Sequence, residues 1–157
     1  MSTYQWLLGF HLLGAFLFVS GAVLAGLLHS TAMRRERPSE VAAALGVARI
    51  GVAVTGIGSV VSLGLGIWLV DHLPGYDFGD AWIAASLVLW TASGALAAPG
   101  GRSLSKAREL AERLAAEGDR PSAELRRAVA DPVALVLNYS SLALLIAILG
   151  LMVWKPA

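Results

Sequence analysis

Four long stretches of the chain are almost entirely apolar, at roughly residues 4–32, 41–70, 81–98 and 132–154. A helix needs about 20 apolar residues to cross the hydrocarbon core of a bilayer. Backbone polar groups in lipid must be satisfied within the segment itself, so each stretch is expected to be a helix. The pattern therefore predicts an all-α polytopic membrane protein, an antiparallel four-transmembrane-helix bundle that forms one domain over residues 1–157.

The segments between the spans carry their own patterns. The stretch DHLPGYDFGD has the proline and glycines of a tight turn between the second and third spans. The longer segment at 102–130 begins with RSLSKARELAERLAAEG, in which apolar residues recur at helical spacing and Gly118 marks the stop. It predicts an amphipathic cytoplasmic helix between the third and fourth membrane helices. Asp131 and Pro132 suit the cap and first turn of the last helix.

The composition agrees with a membrane location, because 57% of residues are hydrophobic, 15% are charged and the mean hydropathy is +0.69. The absence of cysteine excludes disulfides and thiolate metal sites. The first thirty residues lack the basic start of a cleavable signal peptide. There is no glycine-rich phosphate loop, no Ser-His-Asp spacing and no carboxylate pair within the spans, so the pattern assigns no enzymatic reaction and no nucleic-acid partner.

Charge predicts the orientation. Apart from Arg49 and Lys155, every lysine and arginine lies in the segments that follow the first and third spans. By the positive-inside rule these segments face the cytoplasm, and both termini lie on the outer side of the membrane. Tryptophans at span ends mark the outer interface, whereas Trp90 lies in mid-span, where packing is expected. The four interfacial tryptophans are Trp6, Trp68, Trp82 and Trp154.

His11 is the deepest histidine. It lies about 7 to 8 Å below the outer interface and shares a helix face with Gly14 and Gly21. It therefore points into the bundle, either as a cofactor or redox ligand or as a partner for a hydrogen bond to another helix. His29 lies about 27 Å further along the helix, where we expect it at headgroup level.

Two other residues are candidates for a cofactor site. His72 ends the second span on the side of His11, and two histidines from facing helices can hold a haem iron. The same position suits a solvated loop histidine. Arg49 is expected near the cytoplasmic interface, where it would snorkel or neutralise a haem propionate or an anionic lipid.

Small and polar residues are expected to line the interior, because they gain nothing against lipid and permit close approach of backbones. The polar belt near Asn138 in the fourth span would bond across helices or line a site. The residues assigned to the interior are His11, Gly14, Gly21, Gly56, Gly64, Asn138 and Ser141.

The segments FHLLGAFLFVSG, GLGIWLV, FGDAWIAASLVLW and LMVWKPA resemble, in this order, the bacterial integral-membrane family catalogued as domain of unknown function 2269. That family is similar in layout to copper-resistance D proteins and to membrane protoporphyrinogen oxidases, which bind haem. The oxidases carry a histidine in their first helix, which corresponds to His11. Their third helix carries a lysine, which has no counterpart between Ala81 and Ala98.

Three functions follow as hypotheses. The first is a redox-type protein that binds haem b or another tetrapyrrole through His11 as metal ligand, with His72 and Arg49 as further cofactor-binding residues. The second is a non-catalytic accessory or structural membrane subunit, and the third is a small metal-handling transporter. The expected partners are the lipid bilayer, a haem or porphyrin, and another copy of the chain or a membrane complex.

Overall fold

The fold is all-helical, as predicted. A computed structural model describes residues 3–156, and these contain five α-helices and no strand. The helices are α1 (Thr3–Met33), α2 (Pro38–His72), α3 (Ala81–Ala116), α4 (Ala123–Val129) and α5 (Pro132–Trp154). Four segments are long and apolar enough to cross a membrane. They are α1, α2, α3 and the segment Ala123–Trp154, which includes the short α4 and the long α5.

Helices α1, α2 and α3 are longer than a bilayer requires. They contain 31, 35 and 36 residues, and a rise of 1.5 Å per residue makes them about 46 to 54 Å long. The hydrocarbon core is only about 30 Å thick. All three therefore extend well beyond the hydrocarbon core.

The long helices pack as two antiparallel pairs, α1 with α2 and α3 with α5, and α2 joins the pairs by contacting α3. Ser93 bonds to Ser141 across the second pair, and the Trp90 indole N–H donates to the Ser59 hydroxyl across the α2–α3 contact at 2.9 Å. Trp90 thus packs between helices, as expected. The other tryptophans mark one end of the molecule, called here the tryptophan-rich end: Trp6, Trp68, Trp82 and Trp154.

The opposite, arginine-rich end is a helical cap with a buried core of its own, to which α1, α2, α3 and α4 contribute. His29 is buried in this region and its Nε2–H donates to the Val129 carbonyl oxygen at 2.8 Å, which ties α1 to α4. His29 is therefore enclosed by protein at this end of the molecule, whereas its expected depth at headgroup level stays a prediction. The core consists of Ala32, Val41, Leu45, Ala107, Ala111, Leu125 and Val129.

The amphipathic segment after the third span is the second half of α3 and not a separate helix. Pro99 lies inside α3 without ending it, although proline removes one backbone donor. The apolar positions of this half, including Ala107 and Ala111, pack into the cap core. The predicted start of the last helix is confirmed, because the Asp131 carboxylate accepts the Val133 N–H at 3.0 Å and Pro132 occupies the first turn.

A carboxylate from a distant loop caps α2. Asp119, whose φ is 54°, accepts both the backbone N–H and the hydroxyl of Ser39 at 2.7 Å. These two hydrogen bonds, chiefly the one from the hydroxyl, lower the pKa of Asp119 below its ordinary value. They compensate for Arg37, which offers α2 no side-chain cap. These hydrogen bonds thereby join the start of α2 to the connection between α3 and α4.

Candidate functional site around His11

Backbone-to-backbone packing of α1 and α2 surrounds the candidate site. A Cβ added at Gly51 would lie 2.9 Å from the Ala25 nitrogen and 2.9 Å from the Gly21 oxygen. A Cβ at Gly14 would lie 2.7 Å from the Ser62 nitrogen. No side chain fits at these positions, so glycine is what permits the approach. His11 therefore lies where the backbones of α1 and α2 are in close contact.

The expectation that Gly56 and Gly64 line this interior is wrong. A Cβ at either position would meet nothing within 4 Å, and both residues are exposed. Gly58 instead faces α1, and a helix turns about 100° per residue. Gly56 therefore lies on nearly the opposite side of α2 from Gly58.

The imidazole of His11 is oriented by a backbone carbonyl of the neighbouring helix. Its Nδ1 lies 2.8 Å from the Ser62 oxygen. A carbonyl oxygen accepts but cannot donate, so Nδ1 must carry the hydrogen. In neutral imidazole Nε2 is then an unprotonated acceptor. This arrangement fixes both the tautomer and the ring.

Gly66 provides the space for this ring. A Cβ at position 66 would lie 3.0 Å from Cε1 and 3.3 Å from Nδ1 of His11, so a larger residue would displace the imidazole. Within residues 3–156 the structure shows no hydrogen-bond partner for Nε2. Histidines that bind metals usually donate their other N–H to a carbonyl or carboxylate, which orients the ring and raises its basicity.

His72 lies elsewhere. It is about 9 Å further along α2 than Gly66, and its Nδ1 lies 3.2 Å from the Trp68 oxygen and 3.3 Å from the Asp71 carboxylate. The exposed fraction of its side chain is 60%. The structure does not bring His11 and His72 together, and ligation by His72 stays a prediction.

Arg49 is also remote from His11. It is exposed and lies about 25 Å along α2 from Gly66. Its distance from Trp68 is about 28 Å, close to the thickness of the hydrocarbon core. Across the described residues it forms no ion pair. The position suits snorkelling or an anionic lipid, whereas a haem bound at His11 would be too far away.

The polar residues of α3 and α5 bond to each other. The hydroxyls of Ser93 and Ser141 lie 2.9 Å apart, and the Asn138 amide covers the backbone at Gly100. Asn138 and Ser141 thus occupy the interior, as predicted. Ser93 and Gly100 were not singled out from the sequence, although Ser86, Ser93, Gly100 and Ala107 recur every seven residues along one face.

No cluster of metal-ligating side chains is found in the described part of the chain, and the two cavities described here lie away from His11. Residues 3–156 contain no group of three or more His, Cys, Asp or Glu side chains that could hold a metal ion. One small cavity lies in the arginine-rich cap next to Met33 and Leu125. A larger one lies at the tryptophan-rich end beside Tyr76 and Lys155.

Comparison with known proteins gives one match. The model of a family described as "Predicted integral membrane protein (DUF2269)" matches residues 5–156. No curated protein and no solved structure matches the chain.

Proposed function

The chain belongs to the family of predicted integral membrane proteins DUF2269, and we propose that this four-helix membrane protein binds a tetrapyrrole, haem b, through Nε2 of His11. The observation that carries the proposal is the Nδ1–H hydrogen bond to the Ser62 oxygen at 2.8 Å. It leaves Nε2 as a lone-pair donor in the orientation that metal-ligating histidines adopt.

The surroundings of His11 suit a single histidine that would hold the group. Because Gly66 has no side chain, it leaves room for the His11 ring. The neighbouring surface of the α1–α2 pair is apolar, with Phe10 and Leu12 exposed on either side of His11 in the sequence. Bound haem would supply one-electron redox chemistry, and His11 would hold it. The chain's own contribution is to fix the tautomer and the orientation of the His11 ring through the Ser62 carbonyl oxygen.

Haem titration tests the proposal. Haem added to the detergent-purified protein should give a Soret band in the wild type and in His72→Ala, but not in His11→Ala. Thermal unfolding of each variant shows whether the fold survives. A wild type that stays colourless with haem supplied would refute the proposal, and so would an unchanged band in a folded His11→Ala variant.

We propose further that the arginine-rich end faces the cytoplasm, with both termini outside the cytoplasmic membrane. The support is the positive-inside rule, which weights basic residues close to the membrane ends of helices. Arg34, Arg102 and Lys106 all lie near that end and are exposed.

A second candidate is a non-catalytic accessory subunit, which the hydrogen bond of His11 to the backbone of the neighbouring helix favours. In this role the His11–Ser62 hydrogen bond only ties α1 to α2. His11→Ala would then lower the free energy of unfolding by about 1 kcal/mol, the usual contribution of one hydrogen bond, and would change no spectrum. Pull-down of a stoichiometric membrane partner from the native membrane would support this candidate.

A further inference from the structure

A cluster at the tryptophan-rich end joins the end of α5 to the α2–α3 turn. The Lys155 ammonium donates to the Tyr76 hydroxyl at 2.9 Å. It also lies 5.0 Å from the centre of the Tyr76 ring and 5.6 Å from that of Trp82. The two rings meet edge to face at 5.8 Å. The Lys155 ammonium thus makes cation–π contacts with both rings.

The cluster borders an open cavity of about 260 Å³, whose lining also includes Asp80. Lys155 forms no ion pair with any described residue. An ammonium has three N–H donors, and the hydrogen bond to Tyr76 uses one, so two remain for an anion. Asp80 accepts one hydrogen bond, from the Asp77 N–H at 3.1 Å, and retains acceptor capacity.

The end of α5 places Lys155 in this cluster. Lys155 is the C-cap residue of α5, and its φ of 43° lies in the left-handed region in which helices commonly end. Its backbone N–H donates to the Leu151 oxygen at 2.9 Å. The chain therefore turns out of the helix at this residue.

We infer that this cavity binds the headgroup of a zwitterionic, amine-bearing phospholipid such as phosphatidylethanolamine. Lys155 and the Tyr76 hydroxyl hold the phosphate, and the Asp80 carboxylate holds the amine. The location supports a lipid as the source of the phosphate, because interfacial tryptophans mark the depth of the headgroups. Val153 and Trp154, which directly precede Lys155 in the chain, are largely exposed and offer the acyl chains an apolar surface.

Native mass spectrometry of the full chain, extracted from nanodiscs of mixed phosphatidylethanolamine and phosphatidylglycerol, tests this site. The wild type should retain about one phosphatidylethanolamine per chain. Lys155→Met should lower that occupancy about tenfold, because a charge-assisted hydrogen bond is lost. Lys106→Met, at the other end of the molecule, is the matched control and should retain the lipid. Asp80→Asn should still bind lipid but lose the preference for the amine headgroup.

The contradicting outcomes are distinct. Equal lipid occupancy in the wild type and Lys155→Met would overturn the site. A wild type that prefers phosphatidylglycerol would overturn the role of Asp80 and the zwitterionic ligand. Displacement of the lipid by excess inorganic phosphate would identify the free anion as the ligand. If Lys155→Met does not fold by circular dichroism, Tyr76→Phe carries the test, since it removes only the hydroxyl and should also lower occupancy.

Discussion

Replacing Gly58 by alanine would insert a methyl group between the backbones of α1 and α2. The new Cβ would collide with the Phe18 nitrogen and lie 2.7 Å from the Gly14 oxygen. Ordinary van der Waals contact begins at 3.4 Å, and 3.4 − 2.7 = 0.7 Å, so the helices must separate by at least that distance there. Gly56→Ala is the matched control, because its Cβ would meet nothing within 4 Å.

The two substitutions share every effect except this collision. Each raises helix propensity by about 1 kcal/mol, and this gain cancels when the variants are compared. Overpacking of a close contact costs about 1 to 3 kcal/mol. The free energy of unfolding of Gly58→Ala should therefore be about 1 to 3 kcal/mol below that of Gly56→Ala.

Reversible unfolding in mixed micelles, followed by circular dichroism as the denaturing detergent is increased, measures both variants. The free energy of unfolding is expected to be higher for Gly56→Ala than for Gly58→Ala. Equal free energies of unfolding for the two variants would show that α1 and α2 do not meet at Gly58.

Three other predictions concern different parts of the molecule. In the protein supplied with haem, Gly66→Ala should displace the imidazole of His11 and shift or weaken the Soret band, whereas Gly64→Ala should leave the band unchanged. Identical spectra for the two variants would contradict the contact between the His11 ring and α2 at Gly66. The lowered pKa of Asp119 means that its cap on α2 contributes stability above the ordinary carboxyl pKa and loses it as pH falls through the lowered value. The protection of the amides at the start of α2 against hydrogen exchange, relative to the intrinsic exchange rate at each pH, should fall there in the wild type, and Asp119→Asn should remove that change. In this cysteine-free chain, Pro74→Cys should react with an impermeant thiol reagent in intact cells and Glu117→Cys only after lysis, and the reverse result would invert the topology.

The four spans and the shared tryptophan-rich end were predictable, because length, hydropathy and interfacial tryptophan are properties of each segment taken alone. Which glycines of α2 face α1 was not predictable. That helix has glycine on several sides, so the choice between Gly56 and Gly58 depends on how it is rotated against α1. The burial of His29 was missed for a related reason, since an apolar segment does not reveal where the bilayer ends and a protein core begins.

The face of His11 was predictable from Gly14 and Gly21, three and ten residues further along the helix. Its partner was not, because the acceptor is the backbone oxygen of Ser62, and every residue has a backbone oxygen. The continuity of α3 through Pro99 was missed because proline usually ends a helix in water, whereas membrane helices tolerate it.

The tautomer of His11 tests the account most directly, since the proposed ligation depends on a free Nε2. Nitrogen-15 NMR of histidine-labelled protein in lipid, assigned by the loss of signals in His11→Ala, distinguishes protonated from unprotonated ring nitrogens. The account predicts a hydrogen on Nδ1, none on Nε2, and a shift of the Nε2 resonance when diamagnetic zinc protoporphyrin is added. A hydrogen on Nε2, or an Nε2 resonance that the porphyrin does not move, would contradict it.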